Sequence, residues 1–418
     1  MTRAKKQRNQ LYWLIIFCLF YTVFNGSARK WLIPGTALSN YLLAGQVFIP
    51  WLYYFLAPGT KKQFLPLLLG FSGILVLLAA HPFNLSIYHG FFGIVLHLGF
   101  FLIGFHYVEN SRLYPWKKLQ WVLVLIFIVE IALSIFQYSA PRTHEINRYA
   151  AEGIRHVAYV GEAARVTGTF SYVSGYNAWL FFVSLWIWGL VLRQTSSLWI
   201  FVLLGFTLFA NIISGSRASV AVAVVFSIFT IGYMLQISNS VKPYLAFLAI
   251  TIAATWIFNT DPFVQDAWKN FYSRIEDGFT NKEYDRRTIG VIGEVIDFRG
   301  KYPLFGTGLG GTYQGARLIW GESHFVQEYG GYEEEPERIV IEGGFLLFFM
   351  RTGIMLYLFY LFRMPFLYKA FIAFYIIFFT HIVFNIYNII FYALGLAFLD
   401  WCYRQRYSGG LQPALPPT

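Results

Sequence analysis

TDPFVQDAWKNFYSRIEDGFTNKEYDRRTIGVIGEVIDFRGKYPLFGTGLGGTYQGARLIWGESHFVQEYGGYEEEPER, residues 260–338, is the one long polar interruption in a chain otherwise built of apolar segments. It is rich in Arg, Glu, Gly and Tyr. Outside it, apolar runs approach or reach the roughly 17–25 residues that cross a bilayer. They fall at 10–25, 40–57, 64–80, 87–106, 119–138, 171–192, 198–213, 218–236, 243–259, 339–362, 366–384 and 386–403. Composition agrees: 57% of the 418 residues are hydrophobic and only 13% charged, against about 25% charged in a soluble domain.

These twelve candidate spans predict an all-α polytopic membrane protein with a large, partly helical extracytoplasmic loop. The last two are separated by so little that eleven spans is the alternative. The expected organisation is a membrane domain over 1–259, the loop over 260–338, the last helices over 339–403 and a tail over 404–418. The run at 11–25 follows a basic tail and lacks a small-residue cleavage site, so it reads as the first span and not as a removable signal. Cys18 and Cys402 both fall in apolar segments and imply buried thiols, not a disulfide framework.

Lys and Arg set the expected orientation. With a cytoplasmic amino terminus, the inner segments hold Arg3, Lys5, Lys6 and Arg8, then Lys61 and Lys62, then Arg112, Lys117 and Lys118, then Arg193, Lys242, Arg363, Lys369, Arg404 and Arg406. Both ends are then cytoplasmic, and 139–170 and 260–338 face outward. The net charge of +11 therefore speaks for orientation and against nucleic-acid binding. The outer side should be poor in Arg, yet it carries Arg29, Arg142, Arg148, Arg155, Arg165, Arg217, Arg274, Arg286, Arg287, Arg299, Arg317 and Arg338. Arg in preference to Lys suits bidentate recognition of phosphate or carboxylate. The alternative is that these arginines pair with local acids.

Four constellations stand out. Ser214-Gly215-Ser216-Arg217 is a minimal outer turn whose small residues let a ligand approach a cation at the membrane boundary; the alternative is an arginine anchoring a helix end. Arg165-Val166-Thr167-Gly168-Thr169-Phe170 places another Arg before small residues. Within the loop, Phe263, Val264, Ala267, Trp268, Phe271, Tyr272 and Ile275 recur at helical spacing and predict an amphipathic helix; a second helical stretch is expected near 284–298. The Gly-rich run Tyr302–Gly311 is either a phosphate cradle or a structural turn. Glu333–Glu342 enters the tenth span, with Glu335 and Glu342 as candidate bases beside Arg338 and with His324 as a rival. No His/Cys spacing points to a metal, and no cofactor is expected.

The many-span layout, the large loop before the last helices, Arg-x-x-Gly-Thr-Phe at 165–170, Ser-Gly-Ser-Arg at 214–217 and Pro-Leu-Phe-Gly-Thr-Gly-Leu-Gly at 303–310 together resemble the O-antigen ligase and O-antigen polymerase superfamily of bacterial envelope glycosyltransferases. Arg29-Lys30-Trp31-Leu32-Ile33-Pro34 is similar to the start of a polymerase-like branch. The resemblance implies a multi-pass protein of the bacterial inner membrane. It would transfer glycan from undecaprenyl pyrophosphate to the hydroxyl of an acceptor glycan or lipid, without a metal. It implies Arg217 in catalysis, Arg165, Arg286, Arg287, Arg338 and Arg29 in substrate binding, and a base among Glu335, Glu342 and His324. Many family ligases have a His just before the span after the loop; here that position is acidic, so polymerase is favoured over ligase. Two other classes remain open: a flippase for lipid-linked oligosaccharide, for which Glu130 is the best intramembrane carboxylate, and a non-catalytic assembly subunit.

Overall fold

Every one of the twelve apolar segments coincides with a helix in the computed structural model, which describes residues 2–59, 62–150, 159–193, 195–237, 240–280, 304–313, 320–321 and 335–408. The helices are α1 (Arg3–Ser27), α2 (Ala37–Leu56), α3 (Leu65–Ala79), α4 (Ile87–Asn110), α5 (Trp116–Ser139), α6 (Val173–Leu192), α7 (Ser197–Ile213), α8 (Arg217–Ile237), α9 (Lys242–Thr260), α10 (Pro262–Thr280), α11 (Glu335–Leu361), α12 (Phe366–Phe378) and α13 (Ile386–Ser408). A five-residue π-helical turn, Ala28–Leu32, extends α1. Eight of the helices are long and apolar enough to cross a membrane, and α3, α7 and α12 are shorter apolar helices. The protein is a helical multi-pass membrane protein. Among the described residues the only strands are β1 (Tyr159–Val160) and β2 (Ala163–Ala164), a two-residue antiparallel pair.

Helix starts follow from local chemistry. Thr36 and Ser86 cap α2 and α4 by accepting from Ser39 N and His89 N. Asp261 accepts from Phe263 N at 2.9 Å and Val264 N at 3.2 Å and so starts α10. Of the apolar stripe predicted for this segment, Ala267 and Phe271 are buried and Phe263, Val264 and Ile275 half-buried, while Trp268 and Tyr272 are exposed. The second expected helix, 284–298, lies outside the described residues.

The chain divides into two compact units, Met1–Leu119 with Gly278–Ala393 and Gln120–Asp277 with Leu394–Thr418. In the first, α4 is the central helix, and its glycines stand where neighbours come closest. A Cβ on Gly90 would lie 2.9 Å from Ala79 of α3, and one on Gly93 2.6 Å from Leu309. At Gly99 it would meet Pro50 and Ile389 at 3.2 Å, and at Gly104 Leu358 at 2.6 Å. With no hydrophobic drive between helices in lipid, such notches give the contact area that holds them together.

In this unit α11 departs from the single span expected over 339–362. Gly344 has φ 65° and ψ −171°, a conformation open only to glycine. On an unbroken helix Glu335 and Arg351 would be about 24 Å apart, yet Arg351 Nη2 lies 3.0 Å from Glu335 Oε1. The pieces before and after Gly344 therefore fold back toward one another. The break frees backbone groups, and the Gly-rich run satisfies them: Thr307 N and Gly308 N donate to Ile341 O and Glu342 O at 2.8 and 3.0 Å, and Leu346 N donates to Leu304 O at 3.3 Å.

In the second unit, α6 and the end of α13 are almost wholly buried. Gly189 and Gly395 admit Phe398, Cys402 and Leu185 between them. Arg406 donates to Leu192 O at 3.1 Å and closes the carboxy end of α6. Helix α9, by contrast, exposes Leu245, Leu248, Ile252 and Trp256.

Candidate functional site: an arginine cluster and a buried ion-pair network

In the second unit, the stretch Arg165–Phe170 is pinned to the polar face of α5. Gln137 Oε1 accepts from Thr167 N at 3.0 Å and Gly168 N at 2.8 Å, while its Nε2 donates to Gly168 O at 3.0 Å. Glu130, fully buried, accepts from Thr169 N at 3.1 Å and from the Thr169 hydroxyl. Gly168 has φ 53°, and a Cβ there would overlap the Glu130 carboxylate, so only glycine fits.

This anchoring leaves Arg165 at the loop's start, where its Nε donates to Ser214 O at 3.1 Å. Ser214 is itself held inside the turn: its hydroxyl donates to Asn211 O at 2.7 Å and accepts from Ser216 N at 3.3 Å. The turn runs directly into Arg217, the first residue of α8. Arg217 Nη1 donates to Arg274 O on α10 at 3.2 Å. Three guanidinium groups, from Arg165, Arg217 and Arg274, thus share one neighbourhood. Burial, with Arg274 next and Arg217 adding to it, pushes the Arg165 guanidinium down to about 10. It stays protonated at neutral pH, but its charge is held at a cost that a bound anion would relieve.

The first unit gathers Arg29, Glu335, Arg338 and Glu342. Glu335 pairs with Arg351 and accepts from Val383 N at 2.8 Å. Arg338 lies over the Phe384 ring at 3.8 Å and donates to Thr312 O. Glu342 accepts from Thr312 N at 2.9 Å and Thr312 Oγ1 at 2.6 Å, and faces His97 Nε2 at 3.4 Å. Arg29 is buried in the π-helical turn, with Nε donating to Ser39 O at 2.9 Å. The phenol of Tyr313 is raised by burial, against the opposing pull of Arg29 and Arg338. Both arginines therefore act on one ring.

In the described part of the Gly-rich run, the N–H groups of Thr307 and Gly308 make turn contacts with Ile341 O and Glu342 O, and the N–H of Thr312 just beyond it donates to the Glu342 carboxylate. Glu335 and Glu342, about 1% exposed, brace helix ends and turns. Arg286, Arg287 and His324 lie outside the described residues. Sequence reasoning counted Arg274 among the outer arginines without giving it a role, and did not single out Gln137, Thr312 or Arg351. Arg274 had a legible signal, an Arg at the polar edge of the α10 stripe; the other three are unmarked residues of apolar or Gly-rich stretches. Comparison with protein-family models, with curated proteins and with solved structures returns no match.

Proposed function

We propose that the chain is a metal-independent glycosyltransferase of the bacterial cytoplasmic membrane. It joins glycan from an undecaprenyl-pyrophosphate donor to a sugar hydroxyl of an acceptor during surface-polysaccharide assembly, with polymerisation favoured over ligation. The observation that carries this reading is the convergence of Arg165, Arg217 and Arg274. When the hydroxyl attacks the anomeric carbon, the bond to the pyrophosphate oxygen breaks and negative charge builds on the leaving group. Fixed guanidinium donors placed there stabilise that charge more in the transition state than in the ground state. The two sequence motifs that bear Arg165 and Arg217 are among those on which the family resemblance rests.

In this proposal twelve helices cross the membrane, both termini are cytoplasmic, and the arginine cluster faces outward, as the Lys/Arg distribution favours. The acceptor hydroxyl loses its proton to a base. Glu335, Glu342 and His324 are the candidates for that base. Arg29 and Arg338, acting on one tyrosine, are assigned to substrate binding.

The test is transfer by the purified chain in lipid nanodiscs, with a defined lipid-linked oligosaccharide, with and without a chelator. Longer glycans on the donor lipid support polymerase, and transfer to a separate acceptor supports ligase. Movement of the lipid between leaflets without a new glycosidic bond overturns the enzyme reading in favour of a flippase.

A further inference from the structure

Glu130, Ser134, Gln137 and Tyr138 form a polar stripe on α5, a helix that otherwise reads as a membrane span. A carboxylate and an amide buried in such a helix are expensive and usually mark function. For Glu130 the obvious function is a transported proton or substrate. Its contacts point elsewhere. Its two oxygens receive the backbone and the hydroxyl of Thr169. Gln137, two turns on, uses both ends of its amide on the same loop, through Thr167 N, Gly168 N and Gly168 O. The loop so held begins with Arg165, whose Nε donates to Ser214 O at the start of the turn leading to Arg217. The next residue of the stripe, Tyr138, accepts from Asn270 Nδ2 at 2.9 Å. Asn270 lies one helical turn before Arg274 on α10, and the Arg274 carbonyl is what Arg217 bonds.

We infer that Glu130 and Gln137 are positioning residues: by clamping residues 165–170 to α5 they fix Arg165, and through Ser214 they fix Arg217, into one preformed diphosphate-binding arrangement. The Tyr138–Asn270 contact secures the α10 side of the same arrangement. A long guanidinium side chain has much rotamer entropy to lose, so a cluster of them binds an anion well only if other groups hold them in place. Gly168 completes the clamp, because any side chain there would displace the Glu130 carboxylate. The inference rests on the proposed role of the arginine cluster, but the clamp can be tested without any transfer reaction.

The experiment uses the full-length chain in nanodiscs, with Glu130→Ala, Glu130→Gln, Gln137→Ala and Thr169→Val, each alone and combined with Arg165→Ala. Hydrogen exchange reads the amides of 165–170, and calorimetry reads binding of inorganic pyrophosphate. The expected result is faster exchange of Thr167, Gly168 and Thr169 in Glu130→Ala and Gln137→Ala. Pyrophosphate affinity should fall roughly tenfold, and the loss should vanish in the Arg165→Ala background, because residues acting through one another are not additive. If transfer is active, kcat should fall roughly 10²-fold, the scale of a small misplacement, with KM changing less. Should Glu130→Ala fail to fold, Glu130→Gln and Thr169→Val, which keep the shape, carry the same readouts at smaller amplitude. Unchanged exchange in these variants, or an undiminished loss in the Arg165→Ala background, overturns the clamp. A wild-type chain that binds pyrophosphate and shows the coupling but transfers nothing overturns the glycosyltransferase reading and leaves the clamp standing.

Discussion

Replacing Gly344 by Ala should be among the most damaging single-methyl changes in this protein. Two costs add. At φ 65° and ψ −171° an L-residue is strained, which costs about 1–3 kcal/mol. The new methyl would also overlap the Leu304 carbonyl and stand 2.7 Å from Gly306 N. Backbone cannot yield as a flexible side chain does, so the turn at 304–308 must lift. That threatens the bonds Leu346 N to Leu304 O, Thr307 N to Ile341 O and Gly308 N to Glu342 O. Each such bond contributes about 0.5–1.5 kcal/mol net. The sum is roughly 3–7 kcal/mol, a large share of the 5–15 kcal/mol typical of a folded domain. The internal control is Gly353→Ala on the same helix: nothing lies within 4 Å of its Cβ position, and Ala should stabilise a helix interior by about 0.5–1 kcal/mol. Thermal unfolding in detergent, followed by tryptophan fluorescence, compares the two. Equal melting of Gly344→Ala and wild type would refute the reading of α11 as two pieces locked by the Gly-rich turn.

Arg217→Lys should fold normally yet lose roughly 10²–10³-fold in kcat for glycan transfer, because a point charge cannot replace the bidentate fork; near-normal turnover rules out the clamp on the leaving group. Arg165→Gln should leave the ligand-free protein as stable or more stable, since folding lowers this guanidinium to about 10 and so disfavours its charge. By the same sign, wild-type stability gains as pH rises from about 10 toward the unfolded arginine value, and the Gln variant loses that slope. Saturating pyrophosphate should raise the melting temperature of wild type but not of Arg165→Gln, as a differential scan will show. Arg351→Ala should destabilise by about 3–5 kcal/mol by leaving the buried Glu335 carboxyl without its partner, and the double change Glu335→Gln, Arg351→Met should recover much of it in the same melting assay. An impermeant thiol reagent applied to intact cells should label a Cys placed at exposed Glu162 but not one at exposed Lys62; buried Cys18 and Cys402 give no background. The opposite pattern inverts the topology.

Hydropathy and run length alone made the chain a helical membrane protein, because a lipid-spanning segment must satisfy its own backbone and present apolar side chains over a known length. Spacing likewise made 262–280 an amphipathic helix, since its stripe repeats every turn. The Arg-bearing motifs at 165 and 214–217 were also visible as local anomalies of charge beside small residues. What these motifs do to each other was not. Arg165 is joined to Ser214, and Arg217 to Arg274, by contacts across 49 and 57 residues of chain, which no local pattern encodes. Glu130 read as an isolated carboxylate in a span, and only the returning loop showed it to be an acceptor for Thr169. The Glu333–Glu342 run read as a source of bases; the partners of two of them, Arg351 for Glu335 and Thr312 and His97 for Glu342, were not legible in it. The span over 339–362 read as one helix because hydropathy does not register a single glycine with positive φ. Local composition determined which segments form apolar helices; the closing of the chain on itself decided which buried polar groups would meet, because each needed a partner that only a distant segment could bring.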